Sequence, residues 1–372
     1  MMKIRYILTF FLVLFCLSFL SGQSRKIIHI PDIPGYTTLK CDFHTHTVFS
    51  DGTVWPTVRV EEAWRDGLDA VSITDHIEYR PHSKDIVSDH NRSHEIAEPL
   101  ANKLNIILIK GAEITRSMPP GHLNCLFIKN ANLLERENVM DAVREARDQG
   151  AFILWNHPGW KVQQPDSTLW WAEHTNLLNG DLLHGIEVFN DGEYYPEAID
   201  WAVSKKLTIF ANSDIHSPVN MRYDMNNITR PLTLVFSRSR TRGGIREALF
   251  SRRTAALFNN TLAGPANLLE ALFFASVKIY NPQGQLKNGQ TKYVVIENNS
   301  DIEYHLELVQ PGIGFDAPVN RILLPHRHTA LELRGNSEQV GTQNELRIYY
   351  KVNNALVSSD GNLVITLKIS NN

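Results

Sequence analysis

The stretch Leu39-Lys40-Cys41-Asp42-Phe43-His44-Thr45-His46-Thr47-Val48-Phe49-Ser50-Asp51-Gly52 decides how this chain is read. An apolar run, Leu39–Phe43, ends in two histidines separated by one residue. On a strand, positions i and i+2 point to the same side, so both imidazoles can reach one metal ion. The pair is weak evidence alone. The chain has 15 histidines and a second pair, His326-Arg327-His328, which reads as a solvated turn after Pro325.

The same design recurs downstream. Apolar runs at Ala70–Thr74, Ile106–Lys110, Leu123–Ile128, Phe152–Trp155, Gly185–Phe189 and Leu207–Ala211 alternate with helical patterns around 57–66, 91–104, 139–149 and 194–205. This alternation predicts an α/β fold of parallel strands with crossover helices, and seven such strands suit a barrel better than an open sheet. No glycine-rich loop follows the first run, which argues against a dinucleotide fold. Most runs end at a metal-type ligand: Asp75 and His76, Glu113, His157, then Asp214 and His216. The carboxyl ends of barrel strands open on one face, so these residues would converge. Singly, several have ordinary readings: Asp51 starts an Asp-Gly turn, Asp75 caps a helix, His122 begins a strand. Glu113 follows an apolar run, and a buried carboxylate needs a cation.

With 372 residues, 43% hydrophobic and 21% charged, the chain is ordinary globular material with room for two domains. A net charge of -3 argues against a nucleic-acid-binding surface. Three cysteines exclude a disulfide scaffold, and Cys41 and Cys125 are expected as separate buried thiols. Lys3 and Arg5 precede an apolar run, Tyr6–Leu20, and then Ser21-Gly22. That pattern predicts a signal peptide over residues 1–22, export to the periplasm or beyond, and no membrane span in the mature chain. From about Ser276, short β-rich runs separated by Asn-Pro-Gln-Gly, Gln-Pro-Gly and Ser-Asp-Gly-Asn replace helical periodicity. They predict a small β-sandwich over 276–372, leaving 23–275 for a catalytic domain.

The phrases His-Thr-His-Thr-Val-Phe-Ser-Asp-Gly (44–52), Ile-Thr-Asp-His (73–76), Gly-Ala-Glu (111–113), Gly-His (121–122), Asn-His-Pro (156–158) and Ser-Asp-Ile-His (213–216) occur in that order. The ordered set resembles the PHP (polymerase and histidinol phosphatase) superfamily over roughly residues 35–260. Export and the C-terminal β-domain look most like secreted bacterial phosphodiesterases of the Sb-PDE type. The resemblance implies a distorted, TIM-like seven-stranded (β/α) barrel with two or three divalent ions, drawn from Mn, Zn or Fe. It assigns His44, His46, Asp214 and a bridging Glu113 to a first ion. Glu113, His122 and His157 fall to a second, and Asp51, His76 and His216 to a third.

The same resemblance implies an exported phosphoesterase in which a metal-bridging hydroxide attacks phosphorus. Glu113 and Asp214 lie at its catalytic centre; Asp75 orients a ligand or acts on a proton. Three ions against the charges of Asp51, Glu113 and Asp214 leave a positive surplus, which favours an anionic small-molecule substrate. Arg116 and Arg222 are candidates for its phosphate, and Glu187 for orienting a ligand histidine. Trp155, Trp160, Trp170 and Trp171 are candidate pocket walls, at least half of them expected as plain core or surface packing. A phosphodiesterase is the leading expectation. The alternatives are a phosphomonoesterase of the histidinol-phosphatase kind and a non-catalytic metal- or surface-binding protein.

Overall fold

The structure, a computed structural model, describes residues 24–223, 230–280 and 282–372. The signal peptide read over residues 1–22 lies outside the described residues. Among the described residues, eleven strands precede the β-rich tail: β1 Thr37–Asp42, β2 Ala70–Ile73, β3 Ile107–Ile114, β4 Leu123–Leu126, β5 Phe152–Trp155, β6 Gly185–Asn190, β7 Glu193–Tyr194, β8 Thr208–Asn212, β9 Leu232–Ser237, β10 Thr254–Phe258 and β11 Thr261–Ala263. Each of the seven expected runs is one of these strands, within a few residues at its ends. The continuous apolar runs have a physical cause: all residues of β2, β5 and β8 are buried. A strand covered on both faces cannot alternate polar and apolar residues.

The expectation of uniformly parallel strands is corrected. β1, β2 and β3 are parallel neighbours, as are β5, β6 and β8. β4, however, runs antiparallel to both β3 and β5, and β9 antiparallel to β1. The reason is connection length. Only the loop 115–122, with no helix, separates β3 from β4, and a parallel return needs a crossover of a dozen or more residues. Nor, among the described residues, do the ladders make a closed ring. Between β8 and β9 the Thr233 hydroxyl bonds the backbone N–H and carbonyl of Ala211. Side chains of β1, β2, β3, β4, β5, β8 and β9 still meet in one core cluster, in which the Phe210 ring packs 5.6 Å from those of Phe43 and Phe152.

Helices cover the outside. Helix Pro56–Arg65 begins with proline, whose missing N–H costs nothing there, and buries Val60 and Ala63. Helix Val139–Asp148 is capped by the Asn138 side chain and buries Ala142, Val143 and Ala146 at helical spacing. Helices Ala172–Asn179, Arg242–Phe250 and Ala266–Ser276 were not anticipated.

The tail holds β12 Val277–Tyr280, β13 Thr291–Asn298, β14 Tyr304–Gln310, β15 Phe315–Asp316, β16 Asn320–Leu323, β17 Arg327–Gly335, β18 Glu345–Leu356 and β19 Asn362–Ser370. One sheet runs β12-β13-β17-β15; the other joins β16, β14, β18 and β19. β13 alternates exposed or half-buried residues with buried ones, as one-sided strands must. β18 also pairs with β11, and helix Ala266–Ser276 lies in the same core cluster as Leu346, Ile348 and Ile365. The two parts therefore share a core. Cys41 and Cys125 are free and buried, as expected.

His174 ties this framework to the site. Its Nε2 donates to the Pro120 carbonyl at 2.8 Å, its Nδ1 accepts from the Trp171 N–H, and its ring stacks on buried Trp155. Trp155 and Trp170 are thus packing residues. Burial, opposed by the Pro120 bond, lowers the His174 pKa from 6.5 to about 4. The unfolded chain binds this proton first, so the contribution is complete above pH 6.5 and lost as pH falls toward 4. The contribution amounts to roughly 3 kcal/mol. Denaturant unfolding should show stability falling over that window, and His174→Gln should flatten the slope. An unchanged slope would contradict the assignment.

Candidate metal centre

The carboxyl ends of β1, β3, β5 and β8, with the loops after β2 and β3, deliver the candidate ligands to one place. Glu113 is fully buried at the middle. Its Oε2 lies 3.5 Å from His44 Nε2, 3.4 Å from His46 Nε2 and 2.8 Å from His76 Nδ1. Its Oε1 lies 2.9 Å from His122 Nδ1 and 3.7 Å from His157 Nε2, and accepts a hydrogen bond from Asn156 Nδ2. Asp214 Oδ1 closes the first group, 3.1 Å from His44 Nε2 and 3.0 Å from His46 Nε2. Asp51 Oδ1 gathers a third, with His216 Nε2 at 3.2 Å and His76 Nε2 at 3.5 Å. All nine candidate ligands therefore meet. The groups are less separate than the family pattern implies. His76 faces Glu113 with one nitrogen and Asp51 with the other, and His46 Nδ1 lies 3.8 Å from Asp51.

Whether these residues suit metal ions is decided by their unused atoms. His44 Nε2, His46 Nε2, Asp51 Oδ1 and Glu113 Oε2 are buried and make no hydrogen bond. Each unmet buried polar atom costs about 1–3 kcal/mol, and charged ones more. His44 Nε2, His46 Nε2 and Glu113 Oε2 converge on one spot and Asp51 Oδ1 faces a neighbouring one; each spot requires a partner, and only a cation satisfies nitrogen lone pairs and carboxylates together. The proton equilibria agree. Burial opposes charge on Glu113 and Asp214, yet the surrounding histidines hold both far below the usual carboxylate range. Burial also opposes charge on His76, but Glu113 and Asp51 lift it to about 10. His46, by contrast, is pushed down to about 3 by burial and by the His216 and His76 charges. Without metal, protons must supply the positive charge; divalent ions fit the same set.

Outer contacts aim the ligands. Glu187 Oε1 accepts from His44 Nδ1 at 2.9 Å and from Asn212 Nδ2; its Oε2 accepts from the His157 backbone N–H and from Asn190. His44 thus keeps its proton on Nδ1 and turns the Nε2 lone pair inward. His216 does the same by donating from Nδ1 to the Asp214 carbonyl. His157 and Asp214 sit at φ +28° and +49°, left-handed conformations that cost about 1–3 kcal/mol each at a non-glycine residue. That strain is held where strands end at the cluster. Asp75 does not touch Glu113 or Asp214 through its carboxylate. It accepts from the Thr47 N–H and hydroxyl and from Ser50 Oγ, which lies 3.3 Å from His46 Nδ1. It acts as an orienting residue.

Two expected substrate contacts are corrected. Arg116 turns away from the cleft to Glu78, at 2.8 Å, and to the Arg136 carbonyl, because neighbours Thr115 and Ser117 take the cleft-facing side of the chain. Arg222 is paired with Asp191 at 2.8 Å and reaches the cleft only through it. Among the four tryptophans only Trp160 lines the cleft.

Sequence reading missed two buried arginines. Arg59 donates to the carbonyls of His46, Ile215 and Ser217, clamping the two ligand phrases together. Arg230 pairs with Asp42 and Asp66, and Asp42 accepts the backbone N–H groups of His44 and Ser213. Arg59 lies on the buried face of its helix, paired there with Glu62 at 2.7 Å. Its one signal is a charge where spacing calls for an apolar residue.

The comparisons agree with this geometry. A solved two-domain protein from Bacteroides vulgatus, described as containing a predicted PHP-like metal-dependent phosphoesterase, matches at 46% identity with a TM-score of 0.89. The match covers 94% of this chain and 100% of that one. An uncharacterized protein of Methanocaldococcus jannaschii is 30% identical over 132 residues, which is 32% of this chain. The chain spans 59% of that curated relative's length. The Ig-like domain family DUF5001 matches residues 277–368. The chain belongs to the PHP-like metal-dependent phosphoesterases, in a two-domain form with a C-terminal Ig-like domain.

Glu187→Gln places an amide against donors from His44, Asn212, His157 and Asn190, and should weaken divalent-metal binding about 10–100-fold in a chelator competition. Gly52→Ala should be worse, because its Cβ would lie 2.7 Å from the His46 backbone carbon. Wild-type metal affinity in both variants would contradict this description of the ligand supports.

Proposed function

We propose that this chain is a phosphodiesterase acting on small molecules. The observation that carries the reading is the cleft over the cluster, about 720 Å³, which holds six of the candidate histidine and aspartate ligands and, among the described residues, no arginine or lysine. The six residues 224–229, which follow Tyr223, also contain neither. A phosphomonoester brings two negative charges and a free phosphoryl end, which such enzymes commonly grip with extra cations. A diester brings one, which divalent ions alone can balance. Ions held by His44, His46, Asp214, Glu113, His122 and His157 would supply Lewis acidity and an activated water. The chain's own residues divide the rest. Glu113 spans two ligand groups, Glu187 and Asp75 hold the histidines in register, and Asp42 with Arg230 fixes the strand ends. We read the curved sheet around them as the distorted barrel that the family resemblance implies.

The cleft walls differ. Tyr79, Met118, Trp160 and Val162 supply the apolar lining, with the Trp160 ring centroid 5.7 Å from that of His122 and 5.2 Å from that of His157. Asn190, Asp191 and Glu193, from β6, β7 and the turn between them, add polar lining, as do Thr115, Ser117 and Gln163. The ester arm over His122 and His157 is therefore the bulkier, more apolar one. Export follows from the N-terminal basic and apolar pattern; no described helix is long and apolar enough to cross a membrane.

The test compares bis(4-nitrophenyl) phosphate with 4-nitrophenyl phosphate, using protein reloaded with Mn or Zn. Diester turnover should be faster and should vanish in Glu113→Ala. Faster monoester turnover would move the assignment to a phosphatase, and no turnover with full metal content would favour a binding protein. Trp160→Ala should raise KM for the aryl diester about 3–10-fold and leave kcat within about two-fold. A loss in kcat alone would place Trp160 in ligand support instead.

A further inference from the structure

A second group of metal-type ligands stands away from the cleft, where the arm before β1 meets the Ig-like domain. His29, Asp301 and His326 bring one donor atom each to within 4.8 Å of one another. The backbone sets the carboxylate: Asp301 Oδ2 accepts the His29 N–H at 2.8 Å, and the Asp301 N–H donates to the His29 carbonyl at 2.8 Å. That leaves Oδ1 between the two imidazoles, 2.7 Å from His326 Nε2 and 3.7 Å from His29 Nδ1. His326 sits in a turn at φ +54°, beside β17. The two rings meet edge to face with centroids 5.3 Å apart.

Donor atoms around a tetrahedral zinc ion lie about 3.3 Å apart, given metal–donor distances of about 2.0–2.1 Å. The two observed separations bracket that value, so rotations of exposed rings suffice. Two imidazoles and one carboxylate leave a fourth position for water, and this donor set suits zinc better than magnesium or calcium. We propose that His29, Asp301 and His326 form a zinc site, separate from the Glu113 cluster, that clips the N-terminal arm to the Ig-like domain. The residues lie far apart in sequence, so the ion would join segments that the chain does not.

The test uses the full chain with the Glu113 cluster loaded, dialysed against buffered zinc. Wild type should carry one more zinc per chain than the double variant His29→Gln/His326→Gln. Added zinc should raise Tm by about 2–5 °C in wild type and not in the variant. Each single variant, confirmed folded by circular dichroism, should lose the same shift. Glu113→Ala should lose its own metal and keep this shift. Equal zinc content and equal Tm response in wild type and double variant would overturn the proposal, leaving a plain Asp301–histidine ion pair. So would a zinc response that disappears in Glu113→Ala.

Discussion

Glu113 has no solvent contact, and its two oxygens face different sets of imidazoles. An isolated buried carboxylate costs at least several kcal/mol, far more than one strand end can offset. Its ionised state persists only because positive charge is supplied on both sides. Histidine protons can supply it, and so can divalent ions, which also satisfy the unbonded nitrogens of His44 and His46. Much of the surrounding structure can be understood as holding this carboxylate and its neighbours at fixed distances. Glu187, with four donors, fixes His44 and the His157 backbone. Arg59 and Arg230 fix the strand ends from below.

Those two arginines also explain a choice that looks costly. Buried ion pairs add little net stability, since desolvation cancels most of the attraction, but removing one partner costs about 3–5 kcal/mol. Their geometric effect is clearer than their energetic one. Arg59 binds the carbonyls of His46 and Ile215, in two different ligand phrases, and Arg230 holds Asp42, which accepts the backbone N–H groups of His44 and Ser213 in the same two. Left-handed His157 and Asp214 are tolerated for the same reason: surrounding bonds over-determine them.

The strands that carry the ligands were legible because they are buried on both faces, and continuous apolar runs such as Phe152–Trp155 survive any detail of pairing. The direction of β4 was not legible, since an apolar run looks the same in either sense. β9 escaped notice because Thr233 interrupts its apolar run to make side-chain bonds. Ligand identity was legible as an ordered set of phrases, and the structure gathers all nine residues. Side-chain direction was not. Arg116 is three residues from Glu113, but alternation turns it to Glu78. The pair His326-Arg327-His328 looked isolated because Asp301 is 25 residues distant from His326 in sequence. Only the fold brings it close.

The most direct measurement is anomalous diffraction from crystals of the full chain grown with manganese. A metal centre built on Glu113 predicts at least two anomalous peaks flanking its carboxylate, one bounded by His44, His46 and Asp214 and the other by His122 and His157. Ordered crystals with saturating manganese and no peak within bonding distance of Glu113 would contradict it.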